Sequence, residues 1–310
     1  MLDKSNIVLI DCGHITFHVF FRSYNIYMKH IETQIESERN RNDPSNEHFE
    51  LVEEMRLFLK INFDEESTLY TDSYFLEIIL NQYILFTKRI KYQYNTQFND
   101  IYFIRDSPYE TVWRREYYDK YKSGRSKTKF DKKVFNLKKF FTHVYEKVFP
   151  YLVEKFKIKY LRVLHAEADD IISIITNYIP TYIRVFIISS DCDFLQLLTR
   201  KNTFIYSLKG DLINKKLFDK SPEEKLLIKI IAGDKSDNVP PCFDDENDTN
   251  YYLNNPDHLL TLLETDQKIM EQFNRNRILI DFSFIPEEIK GNTIELFNAT
   301  RKYIKIHKNT

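Results

Sequence analysis

The chain has 310 residues, 43% of them hydrophobic and 15% aromatic, which is enough for a sizeable core and too apolar for a disordered protein. A formal net charge of −1 excludes a protein that is basic all over. There is no 18-residue apolar run and no charged-then-apolar leader, so the sequence reads as soluble and intracellular, with a cytoplasmic setting expected.

In chain order, short apolar runs of strand length recur at 7–10 (IVLI), 101–104 (IYFI), 159–164 (KYLRVL), 184–189 (RVFIIS) and 203–208 (TFIYSL). Segments of helical period lie between them, including 74–90 and 140–156. Strands alternating with helices predict an α/β fold with a largely parallel central sheet flanked by helices. The polar stretch 36–47 (ESERNRNDPSNE) breaks the periodicity and reads as a loop, part of an insertion at about 31–70. Beyond about 217 the strand signal fades. SPEEKLLIKIIAG opens with a capping box, Ser221 and Glu224, and the rest reads as helices. The organisation expected is an α/β core over 1–216 and a smaller α-helical part over 217–310. The odd trio Cys12, Cys192 and Cys242 lacks metal-finger spacing and reads as reduced thiols.

Acids follow the strands. Asp11 ends IVLID, Asp106 ends IYFIRD, Glu167, Asp169 and Asp170 follow the third run, and Asp191 and Asp193 follow the fourth. Asp234 and Asp237 close the helix that starts at Ser221. Ligands of open parallel sheets bind at the carboxyl ends of the strands, so the first four groups should converge. Any one of them alone reads as a helix cap or turn former, Asp170 most of all. Together they would raise one another's pKa unless a cation lay among them. An all-oxygen set favours Mg²⁺, with Mn²⁺ able to substitute, over Zn²⁺. Two such ions roughly 3.5–4 Å apart clamp the oxygens of an in-line phosphoryl displacement.

A phosphate-bearing partner is the other half of that chemistry. Residues 114–139 carry eleven Lys/Arg against three acids, a net of +8, whereas 31–66 carry eleven acids against four bases. The basic stretch interleaves Trp113, Tyr117, Tyr118 and Tyr121, which read as core packing or as a base-stacking face.

AEADD, SSDCDFLQLL and GDKSDN, with LIDCGH at the N-terminus and WRREYYDKYKSGR, resemble the flap endonuclease / 5′→3′ exonuclease family. ILIDFSFIPEEI (278–289) resembles the ribonuclease H branch known from T-even phages. The resemblance implies the PIN-like 5′ nuclease fold with a basic helical gateway at about 107–140. It implies metal carboxylates at Asp11, Asp106, Glu167, Asp169, Asp191, Asp193 and Asp237, with Asp234 nearby. It also implies that Arg114 and Lys122 hold the scissile phosphate, with Arg115, Arg125, Lys127, Lys129, Lys132 and Lys133 binding nucleic acid. The activity implied is removal of 5′ flaps and RNA primers by water, leaving 5′-phosphate and 3′-hydroxyl ends. Its substrates would be branched or nicked duplex DNA and RNA–DNA hybrids in phage or viral replication. A sliding clamp and a single-stranded-DNA-binding protein are the candidate partners of a monomer. Where relatives bind K⁺ on a glycine-rich hairpin, this chain has VPPCFDDENDTNYYLNN with no glycine, which puts a K⁺ site in doubt. A PIN-like ribonuclease acting on single-stranded RNA and a non-catalytic binder of branched DNA are the alternatives.

Overall fold

A computed structural model of the chain describes residues 6–39, 73–123, 137–213 and 220–306. Five strands form one all-parallel sheet: β1 (Ile7–Asp11), β2 (Ile101–Ile104), β3 (Lys159–Leu161), β4 (Val185–Ile188) and β5 (Thr203–Tyr206). Their order is β3-β2-β1-β4-β5. β1 is central, with Ile10 opposite Phe103 on one side and Ile188 on the other. Strands buried on both faces are written as unbroken apolar runs, and Ile7, Val8, Leu9 and Ile10 are all fully buried.

The chain divides into two compact units, one of Met1–Gly13, Asn99–Thr128 and Lys159–Thr310, the other of His14–Phe98 and Lys129–Ile158. The first holds the sheet and the later helices: α6 (Ala168–Tyr178), α7 (Pro222–Ala232), α8 (Glu246–Asn254), α9 (Pro256–Thr265), α10 (Gln267–Ile280) and α11 (Glu287–Ile306). The boundary expected near residue 217 therefore falls inside a unit. Phe282, Ile285, Ile289 and Phe297 share one core with Ile7, Leu9, Ile187 and the isoleucines of α6, so α11 and the segment leading into it are part of the sheet's own packing. On α6 Ile172 is buried, whereas Tyr178 is exposed. The Tyr178 hydroxyl accepts from Asn298 Nδ2 on α11 at 3.0 Å.

The second unit is helical. It takes in α1 (Cys12–Arg39) from His14, α2 (Ser73–Gln93), α4 (Leu137–His143) and α5 (Phe149–Phe156). Residues 36–39, read from sequence as loop, continue α1. The rest of the 31–70 insertion lies outside the described residues. Edge-on aromatic pairs, Phe20 with Phe140 at 4.9 Å and Tyr83 with Phe149 at 5.4 Å, fill the core of the unit. Between α4 and α5 the chain takes a π turn, Val144–Val148. Pro150 has no N–H to return to the preceding turn, so the ladder widens there. Among the described residues no helix is long and apolar enough to cross a membrane.

Candidate active site at the carboxyl edge of the sheet

Four of the five strands lead to acids at the same edge. Asp11 is the last residue of β1. Asp106 follows β2, and its Oδ1 accepts from the Ala168 amide at 2.7 Å, at the electropositive start of α6. Glu167 is the N-cap of α6, and its own amide donates to Asp170 Oδ2 at 2.9 Å. Asp191 caps a 3₁₀ helix, Cys192–Thr199, by accepting from the Asp193 amide at 2.9 Å. The i, i+2 pair that follows β4 is thus a cap and the first turn of the helix it caps.

Gly13 keeps the edge open. A Cβ there would lie 3.3 Å from Asp11 Oδ1 and 3.6 Å from Asp106 Oδ2. Asp169 is the most crowded acid: burial, then Asp191, Asp11 and Glu167, push its carboxyl well above the usual range, with Lys122 opposing. The Cys12 thiol is also pushed well up, by burial and then by Asp11 and Asp106, so it stays protonated and is no nucleophile.

A second group closes more tightly. Carboxylate oxygens of Asp193, Asp234 and Asp237 all lie within 4.8 Å of one another. Two carboxylates at such a distance repel by roughly 3–4 kcal/mol at an effective dielectric constant near 20. The Lys229 ammonium, from α7, sits among them, in contact with Asp193 Oδ1 and 2.7 Å from Asp234 Oδ2. It supplies one positive charge against three negative ones. Burial alone would raise Asp234, but Lys229 and the Ser236 hydroxyl and amide overrule it, and its pKa is lowered. Gly233 lets the chain turn into this loop. Its φ is +71° and a Cβ would lie 2.5 Å from the Val239 carbonyl, so the helix ends on a glycine that no larger residue could replace without a shift. Reciprocal bonds of 2.8 Å between Asp234 and Val239 then close the loop.

The cationic residues take different places from those expected. Arg114 is 2% exposed, and every guanidinium nitrogen is engaged within the protein. Nε donates to the Leu279 carbonyl at 2.8 Å, Nη1 to Glu167 Oε2 at 2.7 Å, and Nη2 lies 2.7 Å from Asp170 Oδ1. Burial would lower its pKa, but Asp170, Tyr121 and Glu167 overrule that, so it stays charged. Arg114 is therefore a buried counter-ion of the acid edge, where the resemblance implied a cation facing the scissile phosphate. The cause is local: Val112, Trp113 and Arg114 all turn inward, and Trp113 Nε1 donates to Asp170 at 2.9 Å. Over 107–123 the gateway holds only a 3₁₀ turn, Tyr109–Thr111, and one short α-helix, α3 (Arg114–Tyr117).

Lys122 stands in the left-handed region at φ 55°. Its ammonium lies 2.5 Å from Glu167 Oε1 and 3.5 Å from Asp237 Oδ2. Burial opposes its charge, but Glu167, Tyr121, Asp237 and Asp169 more than restore it. Between the two acid groups stands Tyr121, whose hydroxyl is 3.1 Å from both Glu167 Oε2 and Asp237 Oδ2 and can donate to either. Burial, then Glu167, raises its pKa, so the phenol keeps its proton. Trp113 and Tyr121 thus serve the core and the acid edge, while Tyr117 is exposed. Arg115 stacks on Tyr109, its guanidinium carbon 4.3 Å from the ring centroid. Arg125, Lys127, Lys129, Lys132 and Lys133 lie outside the described residues.

Lys229 and the hydroxyl of Tyr121 were missed from sequence. KLLIKIIAG gives Lys229 the look of an ordinary solvated charge, and only its position five residues before Asp234 marked it out.

Residues 78–226 match the family profile described as 5′-3′ exonuclease, N-terminal resolvase-like domain. A curated 5′-3′ exonuclease of Halalkalibacterium halodurans is 43% identical over 63 residues, which is 18% of this chain and only 21% of that protein. Among solved structures, bacteriophage T5 5′-exonuclease with bound zinc aligns over 95% of this chain and 99% of its own, at a TM-score of 0.58 and 17% identity. The T5 D15 flap endonuclease in a pseudo-enzyme-product complex with DNA and metal ions aligns over 96% and 99%, at 0.57 and 16%. The T5 structures share the fold, a parallel sheet flanked by helices, and residues 78–226 are similar to the N-terminal domain of 5′-3′ exonucleases.

Proposed function

We propose that the chain is a divalent-metal-dependent 5′ nuclease that hydrolyses phosphodiesters near 5′ ends of branched or hybrid duplexes. One observation carries this reading: carboxylate oxygens of Asp193, Asp234 and Asp237 converge within 4.8 Å, with Lys229 against the first two and Lys122 against the third. The donor set is all oxygen, which suits Mg²⁺ or Mn²⁺, and Lys229 marks where positive charge is wanted. Asp193, Asp234 and Asp237 would hold one ion, and Asp11, Asp106, Asp169 and Asp191 another. Bound there, the ions would lower the pKa of water and neutralise charge on the phosphate.

The chain's own residues do the rest. Arg114 and Asp170 lock Glu167 at the start of α6, and Glu167 is held well below the usual carboxylate range by Lys122 and Arg114 against its burial. Tyr121 and Lys122 couple this edge to Asp237, so both acid groups keep one spacing. Lys122 is the cation best placed to turn from Glu167 toward a substrate phosphate. The T5 relatives bind metal ions and DNA by their descriptions, which supports the same substrate class here. The finer reading is removal of RNA primers and 5′ flaps during phage replication, with ribonuclease H-type activity.

The test uses a labelled 5′-flap duplex and a 5′-RNA–DNA hybrid, with Mg²⁺ or EDTA and Asp191→Asn as control. Short 5′-derived products that need Mg²⁺ and vanish in the variant support the reading. Binding without cutting would sink it, and cutting of single-stranded RNA alone would favour a PIN-like ribonuclease.

A further inference from the structure

The three acids of the tighter group come from two separate elements: Asp193 from the 3₁₀ helix after β4, Asp234 and Asp237 from the loop after α7. Both elements are tied to α10. Asn276, fully buried on α10, donates from Nδ2 to the Ile230 carbonyl at 2.8 Å and to the Pro240 carbonyl at 2.9 Å, one on each side of the Asp234–Asp237 loop. The 3₁₀ helix is tied by Gln196. Its Nε2 donates to the Asp193 carbonyl at 3.0 Å and to the Ile280 carbonyl at 3.2 Å, and its Oε1 accepts from the Phe282 amide at 3.0 Å. Two carbonyls and one N–H fix the amide in one orientation, and a carboxylate of the same length has no donor for either carbonyl.

A helix leaves its last carbonyls without partners of its own. On α10 two adjacent ones are taken by side chains, the Leu279 carbonyl by Arg114 Nε at 2.8 Å and the Ile280 carbonyl by Gln196. Arg114 holds Glu167 and Asp170 of the first acid group, and Gln196 holds the backbone of Asp193 in the second. One helix end is thus the common reference for both groups. We propose that Gln196 is a positioning residue. By tying the Asp193 carbonyl to that of Ile280, it fixes Asp193 both against Asp234 and Asp237 and against the first group, and so sets the separation of the two divalent ions. The inference rests on the proposed metal-dependent function.

The experiment is Mn²⁺ titration of the metal-free full chain, followed by low-temperature EPR at saturating Mn²⁺, where two ions roughly 3.5–4 Å apart give an exchange-coupled signal. Gln196→Met keeps the length of the side chain and removes its two donors. It should bind one Mn²⁺ within twofold of the parent and the other about tenfold or more weakly, with the coupling reduced or lost at saturation. If that variant does not fold, Gln196→Asn, one methylene too short to span the three groups, should weaken the same ion. In an Asp234→Asn background Gln196→Met should change Mn²⁺ binding less than twofold, because the ion it serves is already lost. Leu198→Ala, on the same 3₁₀ helix and packed against the core, should lose stability yet keep both ions and their coupling. Unchanged binding and coupling in Gln196→Met would overturn the proposal alone. So would a full further loss in the Asp234→Asn background, or an equal weakening of both ions that Leu198→Ala reproduces. A parent that binds no Mn²⁺ would remove the metal reading and this inference with it.

Discussion

Replacing Arg114 by Met separates a buried counter-ion from a surface phosphate contact. The side chain is 3% exposed, against 6% for Glu167 and 0% for Asp170, and it stacks over Trp113 with 4.6 Å to the ring centroid. Methionine keeps much of the volume but strips both carboxylates of their guanidinium and the Leu279 carbonyl of its donor. Removing one partner of a buried ion pair costs about 3–5 kcal/mol. The orphaned carbonyl adds about 1–3 kcal/mol. Lys122 and Tyr121 remain on Glu167 and offset part of this, which leaves roughly 3–5 kcal/mol in all. At about 2 °C per kcal/mol for a chain of this size, Tm should fall by roughly 6–10 °C. Thermal unfolding in EDTA, followed by circular dichroism, reads this directly. Adding Asp170→Asn removes one orphaned charge and should return about 1–2 kcal/mol. A Tm within 1 °C of the parent, with cutting lost, would refute the reasoning and restore Arg114 as a phosphate ligand.

Asp169→Asn tests the crowding of the acid edge. Asp169 is pushed up by burial and by Asp191, Asp11 and Glu167, so the folded chain holds that proton more tightly than the unfolded one. Native stability of the metal-free protein must then fall as pH climbs from the ordinary carboxylate range through the raised value. The variant should be more stable than the parent at pH 8 and lose less stability between pH 5 and pH 8; equal pH slopes would contradict this. Lys229→Met removes the internal cation from Asp193 and Asp234. Metal-free stability should drop by about 1 kcal/mol while Mn²⁺ binds several-fold tighter, and weaker Mn²⁺ binding would contradict the stand-in role. Gly13→Ala gains up to about 1 kcal/mol of helix propensity but presses on Asp11 and Asp106. Cutting should fall about tenfold or more with Tm held or raised, because displacing a reacting group by a fraction of an ångström is costly; full activity would show that Asp11 need not stay where it is.

The sheet was legible because its strands are buried on both faces, so IVLI, IYFI and VFII stand out as apolar runs, each soon followed by an acid. The convergence of those acids follows from parallel topology alone. Side-chain direction was less legible. WRREYYDKYK reads as a basic surface, yet Trp113, Arg114 and Tyr121 are buried, because Asp170 and Glu167, more than forty residues on, draw them in. Lys229 meets Asp193 only where α7 packs beside the 3₁₀ helix after β4. The two-unit division was also hidden, since the helical unit is assembled from separate stretches on either side of β2.

The central claim, that the acids at this edge hold divalent metal, is tested most directly by Mn²⁺ titration followed through the free-ion EPR signal. Wild-type, metal-free protein should quench the signal saturably. Asp193→Asn and Asp234→Asn, folded by circular dichroism, should each weaken one site by about tenfold or more. A wild-type chain that leaves millimolar Mn²⁺ free, or variants that bind it as the parent does, would contradict the account.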